Sequence, residues 1–264
     1  DPCDPFLLGQ RSLAVAASDL AAMGATPLAF TLALTLPTVH TDWLQAFARG
    51  LNQMAVACNL RLIGGDTTRG PLCLTLTVFG RVPSGRALTR SGAQAGDVLC
   101  VGGELGNAAG ALPLVLGQRS AESFIAQPLL AHYWSPQPQL ALGQALRGKA
   151  TSALDISDGL LADCGHIALA SQVRLLIDRD RVPVSLALEE FLGSAGAQQA
   201  ALSGGDDYVL AFTLPERDVP TLQADGWPIH VIGRVVEGQG VGLLDADGQD
   251  ITPAIRGYQH FHGI

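Results

Sequence analysis

Three apolar runs in this 264-residue chain end in paired glycines followed by an acid: Ile63-Gly64-Gly65-Asp66, Val101-Gly102-Gly103-Glu104 and Leu202-Ser203-Gly204-Gly205-Asp206-Asp207. A fourth segment, Asp155-Ile156-Ser157-Asp158-Gly159, sets two carboxylates at the end of a predicted strand and immediately before a predicted helix. Glycine at such points lets backbone N–H groups approach a phosphate, and carboxylates at strand ends offer the hard oxygens that Mg²⁺ takes. Phosphate and carboxylate repel each other, and a divalent ion between them removes the conflict. Acid-rich glycine turns in a chain with few cations therefore point to metal-bridged nucleotide binding, not to a cationic clamp. Any one of them alone is an ordinary turn dipeptide. Their recurrence is the signal.

Asp19 is a separate signal. It falls within a predicted helix over 9–23, with Val15, Ala16, Ala22 and Met23 at neighbouring positions on its side, where a carboxylate is costly unless paired or metal-bound. Solvation or a local cap is the plainer reading. Other patterns are set aside. Gly143-Gln144-Ala145-Leu146-Arg147-Gly148-Lys149 has the first part of a P-loop, but Ala150 stands where a hydroxyl is needed and the preceding residues read as helix. Asp245-Ala246-Asp247-Gly248-Gln249-Asp250 resembles a calcium loop but lacks the closing Glu, and a hairpin turn explains it better. His260 and His262 have no third ligand at zinc spacing, there is no Gly-x-Gly-x-x-Gly or Gly-x-Ser-x-Gly, and Cys164 reads as core.

The elements that must position these acids follow from periodicity and punctuation. Leu13, Ala16, Leu20 and Met23 predict the first helix, stopped by Gly24 and Pro27. A strand is expected over 28–36, then a helix over 42–58 with Thr41 as cap and Leu44, Phe47, Leu51, Met54, Ala55 and Cys58 on one face. A short strand over 60–63 is expected to end in a turn over 64–70, with an alternating strand over 72–82. Residues 83–96 read as a linker. Beyond it come strand 98–101, a turn, a helix from Asn107, helix 136–146, strand 153–156 and helix 158–171. Later strands are expected at 174–178, 208–213, 228–234 and 241–245, with a helix near 216–224. The loose alternation, without a regular repeat, predicts an α+β fold in two modules, 1–94 and 95–264.

Composition sets the outer limits. The chain is 48% hydrophobic and 15% charged, with 31 glycines spread along it, a globular make-up whose small residues permit close backbone packing. Sixteen basic residues, of which Lys149 is the only lysine, against 24 acidic ones give a net charge of -8, which argues against nucleic acid as partner. No apolar run is long enough for a membrane span and the start has no leader pattern, so a soluble, unprocessed, cytoplasmic protein is expected. Five isolated cysteines read as reduced, mostly buried thiols.

Five segments together resemble the thiamine-monophosphate kinases, within the aminoimidazole-ribonucleotide-synthetase-like superfamily. They are Ser18-Asp19-Leu20-Ala21-Ala22-Met23-Gly24-Ala25, Leu62 to Gly70, Asp155 to Leu160, Ser203 to Tyr208 and Gly257 to Phe261. The order is kept over essentially the whole chain. The resemblance implies a half-barrel N-terminal sheet with helices, a C-terminal α/β sandwich, and a homodimer whose N-terminal strands close a barrel across the interface. It implies ATP-dependent phosphorylation of thiamine monophosphate to thiamine diphosphate with Mg²⁺. The family's metal ligands map onto Asp19, Asp66, Asp155 and Asp158, its nucleotide contacts onto Gly65, Asp66, Arg90 and Ser157, and its substrate contacts onto Asp206 and Tyr258. Arg90 would supply positive charge to a transferring phosphoryl group, although a linker arginine on the surface is its plainer reading. Tyr258 would offer an aromatic face to a cationic or pyrimidine ring. In-line transfer is implied, with Asp66, Arg90, Asp155 and Asp158 at its centre. Two departures stand out. The family's earlier Gly-Asp-Asp and Asp-Thr…His-Phe segments precede the point where this sequence begins, and Asp206 replaces the usual Glu. Rival readings are a selenophosphate or purine-pathway synthetase of the same superfamily, or a non-catalytic ATP-binding dimerisation module.

Overall fold

The computed structural model describes residues 3–254 and Gly257. Its first module is a helix pair laid on a small sheet. Helix α1 (Pro5–Ala22) starts where Asp4 accepts a hydrogen bond from the Phe6 N–H at 2.8 Å and Pro5 takes the first helical position. Helix α2 (Thr41–Ala57) packs on it backbone to backbone. Two glycines make that possible: a Cβ on Gly9 would lie 2.3 Å from the Phe47 carbonyl oxygen, and one on Gly50 1.9 Å from that of Phe6. Beneath them, β1 (Thr26–Leu36) runs between parallel β2 (Arg61–Arg69) and antiparallel β3 (Cys73–Arg81). Leu13, Ala17, Phe30, Phe47, Leu51 and Met54 close the core between helices and sheet.

The second module is a six-stranded sheet in the order β5-β7-β4-β8-β6-β9. Its strands are β4 (Asp97–Val101), β5 (Ser152–Asp155), β6 (Arg174–Asp178), β7 (Leu210–Pro215), β8 (His230–Val236) and β9 (Gly240–Leu244). Alternation along the central strand serves two cores. Leu99 and Val101 pack with α6 (Leu160–Ser171), whereas Val98 and Cys100 face α5 (Leu140–Leu146) and Ala21 of α1. The end of the first helix is thus part of the second module's core. Helices α3 (Asn107–Val115), α4 (Ser123–Trp134) and α7 (Leu186–Ser203) enclose a further cluster around Leu129 and Leu188, and α8 (Val219–Ala224) is a short surface helix.

The α+β reading in two modules holds, with an open N-terminal sheet among the described residues and no closed barrel. Several details differ. Residues 64–69 continue β2 where a turn was expected, because Gly65 adopts φ +150 and passes so close to β1 that a Cβ would sit 1.9 Å from the Leu32 oxygen. Helix α5 begins at Leu140, not at 136, and α6 begins at Leu160. Helices α4 and α7 are absent from the sequence reading: Pro128 interrupts one pattern, and Gly193, non-helical at φ 73 and ψ 162, kinks the other. Cys58, Cys100 and Cys164 are buried, which pushes their thiols' pKa up, but Cys73 is exposed and Cys3 partly so. Residues 245–250 form the expected tight turn, with the Gly248 N–H on the Asp245 carbonyl.

Candidate active site

Asp155 ends β5 and Ile156 to Gly159 lead into α6, so the strand-to-helix corner presents Asp155, Ser157 and Asp158 in succession. The corner is held from behind. Asp163, buried in the first turn of α6, accepts from the Ser157, Asp158 and Gly159 N–H groups at 2.9, 2.9 and 3.1 Å through one carboxylate oxygen. Burial raises the pKa of this acid, and the three backbone donors oppose the shift. The sequence reading passed over Asp163. Its signal was a carboxylate four residues into a helix whose entry carries unpaired N–H groups.

From the other side, α1 reaches the same corner. The fully buried Ser18 hydroxyl donates to Asp155 Oδ2 at 2.6 Å. Next to it, Asp19 is exposed, not enclosed by the small apolar side chains around it. Its pKa is raised by partial withdrawal from water and by the Asp155 charge, while Arg90 pulls it down. Arg90 itself is carried on a pinned segment. The Thr89 carbonyl accepts from the Ala153 N–H of β5 at 2.9 Å, and Ser171 Oγ donates to the Arg90 carbonyl at 3.1 Å. Asp19, Arg90 and Asp155 therefore share one electrostatic neighbourhood, and Ser157 and Asp158 lie on the same corner.

Asp66 is carried on the N-terminal sheet. It stands exposed in β2, its carboxylate accepting from the Thr67 N–H at 2.8 Å, and Gly65 beside it is committed to strand packing. Among the described residues no hydrogen bond joins Asp66 to Asp19 or Asp155. Among the described residues no three His, Cys, Asp or Glu side chains gather into a ready metal cage. Of the four expected aspartates, Asp19 and Asp155 interact electrostatically and Asp158 lies on the same corner as Asp155. What the corner offers is a pair, Asp19 and Asp155, whose mutual repulsion a divalent cation would relieve. Such a pair suits Mg²⁺, which keeps waters and takes its remaining ligands from phosphate.

A pocket of about 630 Å³ opens beside the corner, lined by Ser157, Asp158, Ser203 to Asp206, Tyr208, Tyr133 and residues at the start of α3. Its floor is the loop 204–208, where Asp206 (φ 71) and Tyr208 (φ 54) both take left-handed backbone that side chains rarely adopt. Two anchors hold the strain. The Asp206 N–H and Tyr208 N–H bond to the Ser157 and Ile156 carbonyls at 2.9 and 2.8 Å, and buried Asp207 accepts from the Gly106 N–H through both oxygens. Burial pushes the Asp207 pKa up to about 8. The Tyr208 hydroxyl donates to Asp206 Oδ1 at 3.0 Å, and burial with the Asp206 charge raises the phenol's pKa. The described Gly257 lines the same pocket, and Tyr258 lies outside the described residues.

Comparison with known proteins fits this two-module architecture. An AIR synthase related protein N-terminal domain matches residues 2–82, and the C-terminal domain of the same class matches residues 94–245. Thiamine-monophosphate kinase of Escherichia coli is 44% identical over 264 residues, covering 98% of this chain and 81% of that protein. The crystal structure of thiamine-monophosphate kinase from Stenotrophomonas maltophilia superposes with TM-score 0.87 at 44% identity, covering 93% of this chain and 80% of that one. AaThiL complexed with AMPPCP and TMP superposes with TM-score 0.88 at 28% identity, covering 98% and 82%. The chain belongs to the thiamine-monophosphate kinase family. Among the described residues no helix is long and apolar enough to cross a membrane.

Proposed function

We infer that this protein transfers the γ-phosphoryl group of ATP to thiamine monophosphate, giving thiamine diphosphate and ADP. The observation that carries the reading is a single pocket running from the Ser157–Asp158 corner, where α1 brings Ser18 and Asp19 to Asp155, to the Asp206–Tyr208 loop. One end has the chemistry for a polyphosphate and the other for an organic cation. The relatives named above support the choice of substrates.

A phosphate oxygen of the acceptor attacks the γ-phosphorus, the bond from that phosphorus to the bridging oxygen breaks, and ADP leaves with the electron pair. The attacking oxygen is already ionised at neutral pH, so no general base is required. The protein's task is to position the reactants and balance charge. Arg90 would set a guanidinium against the phosphoryl oxygens, Ser157 would contact the nucleotide, and Asp206 and Tyr258 would hold the thiamine moiety. Asp19 and Asp155, with Asp158 and Asp66, would hold Mg²⁺, which when bound neutralises the triphosphate. Gly65 and Asp66 would reach the nucleotide from the N-terminal sheet. In this reading the chain works as a cytoplasmic homodimer of two modules divided near residue 94. Exposed Leu62 and Ile63 on edge strand β2 support a second copy there.

The test is thiamine diphosphate and ADP production by the purified protein from ATP and thiamine monophosphate, with and without chelator. Equal amounts of both products, abolished by chelator and by Asp155→Asn, are expected. ADP release without thiamine diphosphate, or indifference to chelator, overturns the reading.

A further inference from the structure

Arg11 was singled out by no motif, yet it reaches across the molecule into the organic end of the pocket. Its Nη2 meets Asp206 Oδ1 at 2.9 Å, its Nη1 donates to the Tyr133 carbonyl, and its guanidinium carbon sits 4.1 Å above the centre of the Tyr133 ring. The side chain is only 16% exposed. Fork, carbonyl and ring together fix one rotamer of a long side chain, which a lysine could not reproduce.

Both partners of Asp206 act on Oδ1, Arg11 through an ion pair and the Tyr208 hydroxyl through a hydrogen bond. No described hydrogen bond uses Oδ2. The carboxylate is therefore oriented by one oxygen, with the other left to accept from a ligand in the pocket it lines.

Helix geometry adds the second half. Arg11 and Ser18 are seven residues apart on α1, hence on one face and roughly 10 Å apart along the axis. That face touches the pocket loop through Arg11 and Asp155 through Ser18. One rigid element sets the spacing between the group that would receive the organic moiety and the corner that would receive the phosphates.

We propose that Arg11 is a positioning residue for substrate selection: it presents Asp206 Oδ2 to an N–H donor or cationic ring of the acceptor substrate and, through α1, registers that end of the pocket to the phosphoryl end. The proposal rests on the functional reading above. It concerns Arg11 acting through Asp206, not contact between Arg11 and substrate.

The test is steady-state kinetics on the whole protein with Arg11→Gln, Arg11→Lys, Asp206→Asn and the Arg11→Gln/Asp206→Asn double variant. Arg11→Gln is expected to raise KM for thiamine monophosphate about tenfold, as Asp206 loses its part-buried ion pair, with KM for ATP within about twofold. Arg11→Lys, which keeps the charge and guards against an unfolded Gln variant, should fall between. The double variant should be no worse than Asp206→Asn alone, because the clamp has nothing left to hold. Unchanged KM for thiamine monophosphate, equal rises for both substrates, or additive effects in the double variant overturn the proposal while leaving the kinase reading intact. A wild-type protein that makes no thiamine diphosphate sinks the reading, and the proposal with it.

Discussion

Ser18 and Asp155 are joined by a 2.6 Å hydrogen bond across 137 residues of sequence, and that bond ties the first helix of one module to the strand-to-helix corner of the other. Because Ser18 is wholly buried, its hydroxyl has no competing water, and Asp155 keeps one oxygen committed to α1. The remaining oxygen is what the corner can offer to a ligand. Ser18→Ala should lower stability by about 1 kcal/mol and raise the Mg²⁺ concentration needed for half-maximal rate. Denaturant unfolding alongside a Mg²⁺ titration checks both, and an unchanged titration would detach Ser18 from the site.

The corner also depends on Asp163. Three N–H groups converge on one of its oxygens, so removing the carboxylate strands all three in a partly buried turn. Asp163→Ala is expected to cost about 2 to 4 kcal/mol and to reduce kcat far more than KM, since Asp158 and Ser157 lose their placement. A variant that unfolds at the wild-type denaturant midpoint would contradict this.

How much of this was legible beforehand depends on whether the signal is local. The first two helices and most strands of the large sheet follow from apolar spacing and glycine punctuation, because their buried faces are contiguous in sequence. Residues 64–69 misled because Gly, Asp and Thr are turn residues by type, whereas here Gly65 serves a backbone contact with Leu32 that only the parallel pairing of β1 and β2 creates. The Gly193 kink hid α7. Among candidate site residues, Asp155, Ser157, Asp158 and Asp206 announce themselves by clustering at turns. Arg11 has no such mark. Its partners lie 122 and 195 positions away (133 − 11 and 206 − 11), a relationship that exists only once the modules have docked.

The glycine argument yields a matched pair. A Cβ on Gly64 would meet nothing within 4 Å, whereas one on Gly65 would strike the Leu32 carbonyl in a backbone conformation at φ +150. Gly64→Ala should change stability by no more than about 0.5 kcal/mol, and Gly65→Ala should lose about 3 kcal/mol or more. Thermal melts of the two neighbours side by side decide it. Equal melting temperatures would mean that β2 does not lie against β1 as described.

Asp207 provides a pH signature. Its carboxyl is buried and its pKa is raised to about 8, above the ordinary value near 4 that it regains on unfolding. Between those values the folded chain holds a proton that the unfolded chain has released, so this group's contribution is full below about pH 4 and is lost as pH rises towards 8. Asp207→Asn, which cannot ionise, should flatten the fall in melting temperature across that interval. Identical slopes for variant and wild type would show that Asp207 is ionised in the native state.

Arg90 and Arg11 should separate the Asp19–Asp155 corner from the Asp206 loop kinetically. Arg90 is fixed through its own carbonyl by Ser171 and through Thr89 by β5, and its charge acts on Asp19 at the corner. Arg11 acts on Asp206 at the far loop. Arg90→Gln removes a cation from the corner proposed to receive the phosphates, so KM for ATP should rise and kcat should fall by about 10- to 100-fold, with KM for thiamine monophosphate nearly unchanged. The two-substrate kinetic matrix for this variant gives the result directly. A rise confined to thiamine monophosphate would reverse the assignment of the ends, because a guanidinium that stabilises the Asp19 carboxylate would then be serving the acceptor substrate and not the nucleotide.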